Sequence, residues 1–108
     1  MIAMLAALSA ALAVAAGAFG AHGASSQQAA EWLRTGGMYQ LVHAVAALTI
    51  MNSARGPAAL LLAGGAVFGG TLYIMALGGP RWLGAVTPIG GSLLIAGWLW
   101  LGWTHLRG

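Results

Sequence analysis

Four long apolar segments run along the chain, and short stretches rich in arginine, glycine or proline separate them. A helix needs about 20 mostly apolar residues, at about 1.5 Å of rise per residue, to cross the hydrocarbon core of a bilayer. The pattern therefore predicts membrane-spanning helices over about residues 1–21, 36–53, 57–77 and 87–106. The second segment is the shortest and the most polar of the four.

The most hydrophilic stretch of the chain lies between the first two segments and predicts an additional, short helix. Ser25 and Gln28 have the S-x-x-Q spacing of a capping box, which marks the start of a helix. Trp32 is of a residue type that is enriched at the membrane–water interface. We therefore expect a short interfacial helix over about residues 26–34 and a bend into the membrane at residues 35–37.

The connections between the predicted spans are short, which favours antiparallel packing of consecutive helices. Pro88 lies at the start of the fourth segment, where its fixed φ suits the first helical turn and where Thr87 can cap the helix. The predicted fold is all-α: an integral membrane four-helix bundle with up-down-up-down topology, formed by a single transmembrane domain over residues 1–108.

Loop arginines usually indicate which side of a membrane protein faces the cytoplasm. Here they are balanced, with two on each side of the predicted bundle: Arg34 and Arg81 against Arg55 and Arg107. The sequence therefore leaves the orientation of the termini open.

The first segment has a second interpretation, because Ala16, Gly17 and Ala18 form a small-x-small pattern of the kind that signal peptidase cleaves. No basic residue precedes this apolar run, and the run is longer than the hydrophobic part of a signal peptide. We therefore interpret the segment as a membrane helix.

The composition indicates lipid as the main solvent and narrows the possible functions. Apolar residues make up 60% of the chain and charged residues 5%, whereas soluble proteins contain roughly a quarter charged residues. The four arginines are scattered, so no basic stripe exists that would follow a nucleic acid backbone. The chain has no cysteine and one acidic residue, which excludes thiolate nucleophiles, paired-carboxylate catalysis and a carboxylate cage for calcium. We expect a protein that is not an enzyme and binds no nucleic acid.

Small residues at i, i+4 spacing form two stripes, one on the first segment and one on the third. The stripes consist of Ser9, Ala13, Gly17 and Ala21 on the first segment and of Gly65 and Gly69 on the third. In lipid, helices associate where small residues let their backbones approach closely. Gly17, Gly65 and Gly69 are therefore predicted helix-packing positions, either within one chain or between copies in a homo-oligomer.

Polar side chains within the apolar segments form a predicted cluster, since a polar group in lipid is costly without a partner. The cluster consists of His22, Tyr39, Gln40, His43 and Tyr73. One interpretation is a set of structural hydrogen bonds between helices, and another is a site for a proton, an ion or a small ligand. We expect His43 to bond a polar group of another helix, with His22 or Tyr73 as its partner.

The histidines are weak candidates for metal or haem ligation. His22 and His43 have no thiolate and no second carboxylate to complete a metal site, and the sequence contains no c-type haem attachment motif. We expect no metal and no cofactor.

Four motifs together resemble the domain-of-unknown-function 423 family: GAFGAHG at residues 17–23, YQLVHA at 39–44, GTLY at 70–73 and TPIGG at 87–91. The resemblance covers essentially the whole chain. It implies a small four-span protein of the bacterial inner membrane with no assigned activity or cofactor.

Together these observations predict a small integral membrane protein that acts as a structural or interaction component. Its partners would be the lipid bilayer and either a second copy of the chain or another membrane protein. The alternative is a minor channel or transporter for a proton, an ion or a small solute, with Tyr39 and His43 in its path.

Overall fold

The protein is described by a computed structural model, in which residues 1–107 form four α-helices and one short 3₁₀ helix. The α-helices are α1 (Ile2–His22), α2 (Gln27–Ile50), α3 (Arg55–Ala76) and α4 (Thr87–Arg107), and the 3₁₀ helix Arg81–Ala85 precedes α4. The predicted all-α fold with four long helices is confirmed. Gly108, the last residue of the predicted domain, lies outside the described residues.

Helix α2 differs from the prediction, because the expected interfacial helix and the expected second span form one continuous helix of 24 residues. Ser26 is its N-cap, and the Ser26 side chain accepts a hydrogen bond from the backbone N–H of Ala29 at 3.0 Å. A bend into the membrane was expected at residues 35–37, but the helix continues through them without interruption. Gly36 and Gly37 lie within the helix and are buried against its neighbours.

Within residues 1–107, three stretches are long and apolar enough to cross a membrane: Ile2–His22, Arg55–Ala76 and Arg81–Arg107. Among the described residues, α2 does not meet this criterion. The reason is visible in its sequence, since α2 carries Arg34, Gln40 and His43 among its apolar residues.

Consecutive helices pack against each other, so that α2 lies between α1 and α3, and α3 lies between α2 and α4. Contacts between α1 and α2 pair Gly20 with Leu33 near one end, and Ala13 with Gly37 further along. Residue numbers therefore fall along α1 as they rise along α2.

Two adjacent glycines let α2 approach both of its neighbours. A Cβ atom on Gly36 would lie 3.3 Å from the Cα atom of Gly69 on α3. A Cβ atom on Gly37 would lie 2.9 Å from the carbonyl oxygen of Ala13 on α1. Successive residues of a helix point about 100° apart, since 3.6 residues complete a turn. Gly36 and Gly37 thus lie in two different helix interfaces, with α3 and with α1.

Helices α3 and α4 approach closely at glycines as well. A Cβ atom on Gly64 would lie 2.9 Å from both the carbonyl oxygen of Gly90 and the backbone nitrogen of Leu94. Further along, a Cβ atom on Gly97 would lie 2.8 Å from the side chain of Leu61. Gly90, Leu94 and Gly97 are the buried residues of α4, so this narrow strip is its contact face.

The face of α1 that packs against its neighbours is rotated about the helix axis relative to the predicted small-residue stripe. Ala13, Ala16 and Gly20 are buried, whereas Ala21 is exposed. Gly17 lies at the edge of the interface: a Cβ atom there would have no neighbour within 4 Å, although a Cβ atom on Gly37 would lie 3.4 Å from the Gly17 nitrogen.

The GxxxG pair on α3 faces α2. A Cβ atom on Gly65 would lie 3.6 Å from the Cα atom of Gln40, which is an ordinary contact. A Cβ atom on Gly69 would lie 3.1 Å from the Tyr73 hydroxyl oxygen and 3.3 Å from Gln40 Oε1. Gly69 therefore makes room for the polar side chains of this interface.

Candidate functional site

A chain of two side-chain hydrogen bonds joins α1, α2 and α3. The Tyr73 hydroxyl donates to Gln40 Oε1 at 2.6 Å, and Gln40 Nε2 donates to Ser9 Oγ at 2.9 Å. Gln40 is 3% exposed and Tyr73 is 8% exposed, so the first of these bonds is shielded from the surroundings. We call these three residues the Gln40 network.

Glycines on two helices provide the space that the Tyr73 ring occupies. A Cβ atom on Gly36 of α2 would lie 2.8 Å from Tyr73 Cε1, and a Cβ atom on Gly69 of α3 would lie 3.2 Å from Tyr73 Cζ. Tyr73 is four residues after Gly69, so its side chain lies back over the preceding helical turn and reaches Gln40.

His43 bonds within its own helix, which corrects the expectation of a polar partner from another helix. Its Nδ1 lies 2.5 Å from the backbone carbonyl oxygen of Tyr39. A carbonyl oxygen only accepts, so Nδ1 carries the hydrogen of this contact. The contact of His43 with another helix is aromatic: its ring meets Trp98 of α4 edge-on, with centroids 5.8 Å apart.

Tyr39 belongs to the same aromatic group but lies at the surface. Its ring is nearly parallel to that of His43 at 6.2 Å between centroids, and it packs on Phe68 of α3 at 4.8 Å. Tyr39 is 45% exposed. Together with Trp98, these rings connect α2, α3 and α4.

His22 stands apart from the other predicted site residues. It is exposed in the last turn of α1, whereas His43 is buried in the middle of α2. The expected partners of His43 are therefore both wrong, because Tyr73 bonds Gln40 and His22 does not join the cluster.

A second polar contact joins α3 to the start of α4. The hydroxyl oxygens of Thr71 and Thr87 lie 2.6 Å apart. Each hydroxyl also lies within hydrogen-bond distance of the backbone carbonyl four residues earlier in the chain. These carbonyls are Val67 for Thr71, at 2.9 Å, and Leu83 for Thr87, at 3.2 Å. Thr87 is the first residue of α4, and Pro88 follows it in the first turn.

Ser9 is the third member of the Gln40 network, although its place in the small-residue stripe predicted a packing role alone. A signal for its polar role exists, because Ser9 is the one hydrogen-bonding side chain in the apolar part of α1 before His22. Ser9 also lines an open, mostly apolar cleft of about 310 Å³ between α1 and α3.

The polar groups of the interior are paired. Over residues 1–107, every buried side-chain nitrogen or oxygen atom has a hydrogen-bond partner. In the same part of the chain, no three histidine or acidic side chains lie close enough together to hold a metal ion. The arrangement is thus well suited to fixing the helices relative to each other.

Comparisons with known proteins identify a family. Residues 16–91 match the family model described as a protein of unknown function, DUF423. This range contains Gln40 and Tyr73 but not Ser9.

Curated relatives carry the name UPF0382 membrane protein. That of Haemophilus influenzae is 38% identical over 87 residues, in a match that covers 74% of this chain and 70% of the relative. That of Staphylococcus haemolyticus is 62% identical over 42 residues, 39% of this chain, and the match spans only 34% of that relative. That of Staphylococcus aureus is 39% identical over 71 residues, in a match that covers 58% of this chain and 57% of the relative. No solved structure matches the chain.

Proposed function

This chain belongs to the DUF423 family of proteins of unknown function, and we propose that it is a non-enzymatic structural or interaction component of the bacterial inner membrane. Its three apolar stretches and the names of its relatives support the membrane location. The observation that carries the structural role is the Gln40 network, whose hydrogen bonds tie three helices together. In lipid, such bonds hold helices in register.

Four spans in up-down-up-down order are the topology that we propose. Two observations support this topology. The contacts between α1 and α2 show that these helices are antiparallel, and the connections between consecutive helices are short. We place the first turns of α2 at the headgroup level, because Trp32 lies there with Arg81 above its ring at 5.8 Å. The polar groups further along α2 would then lie at membrane depth, where α1 and α3 cover Gln40.

Self-association is a further part of the proposal. The outward faces of α1 and α4 expose large apolar side chains, among them Leu8, Leu12, Ile95 and Leu99. Either lipid or a second copy of the chain would cover them. Mass measurement of the protein in detergent and in lipid nanodiscs tests this: a strict monomer in both would contradict self-association.

A channel or transporter is the second candidate, favoured by the stack of Tyr39 on His43 with Tyr39 reaching the surface. Proton and cation flux into liposomes distinguishes the two functions. For the structural role we expect no flux above that of empty liposomes, both for the wild type and for His43→Leu. A wild-type flux that His43→Leu abolishes, in a variant that still folds, would establish the transport function instead.

A further inference from the structure

Two adjoining clefts lie where α2 begins, α3 ends and α4 starts. The first has a volume of about 400 Å³ and is lined mainly by apolar side chains, including Phe68, Leu72 and Met75. The second has a volume of about 260 Å³ and is more polar. Its lining includes Ser25, Ser26 and Gln28. An apolar compartment thus opens beside a polar one.

Trp32, Met75 and Arg81 line both clefts and so mark their junction. The Arg81 guanidinium lies 5.8 Å from the centroid of the Trp32 ring. Trp82, next to Arg81, is 67% exposed, as expected for a tryptophan at the membrane–water interface. In the bilayer placement proposed above, the positive charge would lie at the level of lipid phosphates, with the apolar cleft on one side of it.

No side-chain carboxylate of this protein lies in either cleft. The chain has one acidic residue, Glu31, and that residue lines a different cleft together with Arg34. The positive charge of Arg81 is thus available to an external anion. A guanidinium forms strong, charge-assisted hydrogen bonds with phosphate oxygens.

We propose that the joined clefts bind one anionic phospholipid. Its phosphate contacts Arg81, its headgroup occupies the polar cleft beside Ser25 and Gln28, and the first part of an acyl chain lies along Phe68 and Leu72. This assignment goes beyond the structural role proposed above and rests on the proposed placement of Trp32 and Arg81 at the headgroup level. Lipid would then contact α2, α3 and the start of α4 at once.

Native mass spectrometry with lipids of known headgroup tests whether the site prefers an anionic lipid. The protein is titrated in detergent with phosphatidylglycerol or with phosphatidylcholine, and the retained lipid is counted. We expect the wild type to retain one phosphatidylglycerol in preference to phosphatidylcholine, and Arg81→Gln to lower that retention roughly fivefold, the effect of about one basic residue at an anionic surface. Arg55→Gln is the matched control, because Arg55 lines a separate cleft with Met1 and Asn52.

The acyl-chain compartment is tested by filling it. Gly84 lines the apolar cleft, and a Cβ atom on it would meet only Met75 Sδ, at 3.9 Å, which is an ordinary contact. Gly84→Leu should therefore fill part of this cleft. We expect this variant to retain much less phosphatidylglycerol at unchanged thermal stability. Gly102→Leu is its control, since a Cβ atom on Gly102 would have no neighbour within 4 Å.

The proposal would be overturned by equal retention of the two lipids by the wild type, by unchanged retention of phosphatidylglycerol by Arg81→Gln, or by unchanged retention by Gly84→Leu. Displacement of the lipid by inorganic phosphate would also overturn it, because it would identify a site for the free anion. None of these results depends on whether the protein self-associates or conducts protons.

Discussion

The Tyr73 hydroxyl donates a hydrogen bond to the side-chain carbonyl of Gln40 at 2.6 Å across the interface between α3 and α2. The amide nitrogen of Gln40 donates a second hydrogen bond, to Ser9 Oγ of α1 at 2.9 Å. Gln40 thus uses both ends of its amide for helices other than its own. Loss of either partner would leave half of a buried amide without a hydrogen bond.

The first prediction concerns Tyr73→Phe, which removes the donor and keeps the ring. We expect a loss of about 1–2 kcal/mol in the free energy of unfolding, because Gln40 Oε1 would stay buried without its partner. Reversible unfolding of the purified protein in mixed micelles measures the change. Tyr39→Phe is the matched control, since Tyr39 is 45% exposed and its hydroxyl bonds none of the described residues. Equal losses for the two variants would contradict a specific role for the Tyr73 hydroxyl.

The second prediction concerns the approach of α3 and α4. A Cβ atom on Gly64 would lie 2.9 Å from backbone atoms of α4, which cannot move aside as a flexible side chain can. Gly64→Ala should therefore separate the two helices and cost about 1–3 kcal/mol. Gly70→Ala, in the same helix, should be neutral or stabilising by up to about 1 kcal/mol, because a Cβ atom there would have no neighbour within 4 Å. If Gly70→Ala were destabilised and Gly64→Ala were not, Gly70 rather than Gly64 would lie at the close contact of α3.

Helices α1, α3 and α4 could be predicted from hydropathy, since each contains a stretch that is apolar enough to cross a bilayer. The continuity of α2 could not, because two consecutive glycines usually weaken a helix. Here Gly36 and Gly37 lie between two closely approaching helices, and that tertiary contact decides their conformation.

The candidate site, too, could be predicted from the sequence only in part. Spacing within α2 places Gln40 and His43 near each other, but it does not tell which neighbour reaches them. Tyr73 bonds Gln40 and not His43, because the rotation of α3 directs its ring over Gly36. Rotation of one helix about its axis depends on packing with its neighbours, and local sequence carries little information about it.

The third prediction compares two glycines at the contact between α1 and α2. Gly37→Ala would place a Cβ atom 2.9 Å from the Ala13 carbonyl oxygen, whereas a Cβ atom on Gly17 would have no neighbour within 4 Å. We expect Gly37→Ala to lower the free energy of unfolding by about 1–3 kcal/mol and Gly17→Ala to leave it nearly unchanged. Thermal unfolding of both variants in the same detergent provides the measurement. The reverse order would place Gly17 rather than Gly37 at the close contact.

The last prediction concerns the hydroxyl pair that joins α3 to the start of α4, with Thr71 Oγ1 and Thr87 Oγ1 2.6 Å apart. Each threonine also contacts a backbone carbonyl, so a single substitution to valine removes more than the contact between them. A double-mutant cycle of Thr71→Val and Thr87→Val isolates that contact. We expect a coupling energy of about 0.6 kcal/mol, and at most about 1.7 kcal/mol, as found for hydrogen bonds between helices in lipid. Thr104 is the control partner, because its hydroxyl donates to Leu101 within α4, at 2.7 Å. The effects of Thr71→Val and Thr104→Val on the free energy of unfolding should therefore be additive. A coupling energy of zero between Thr71 and Thr87 would show that each hydroxyl bonds a backbone carbonyl instead of the other hydroxyl.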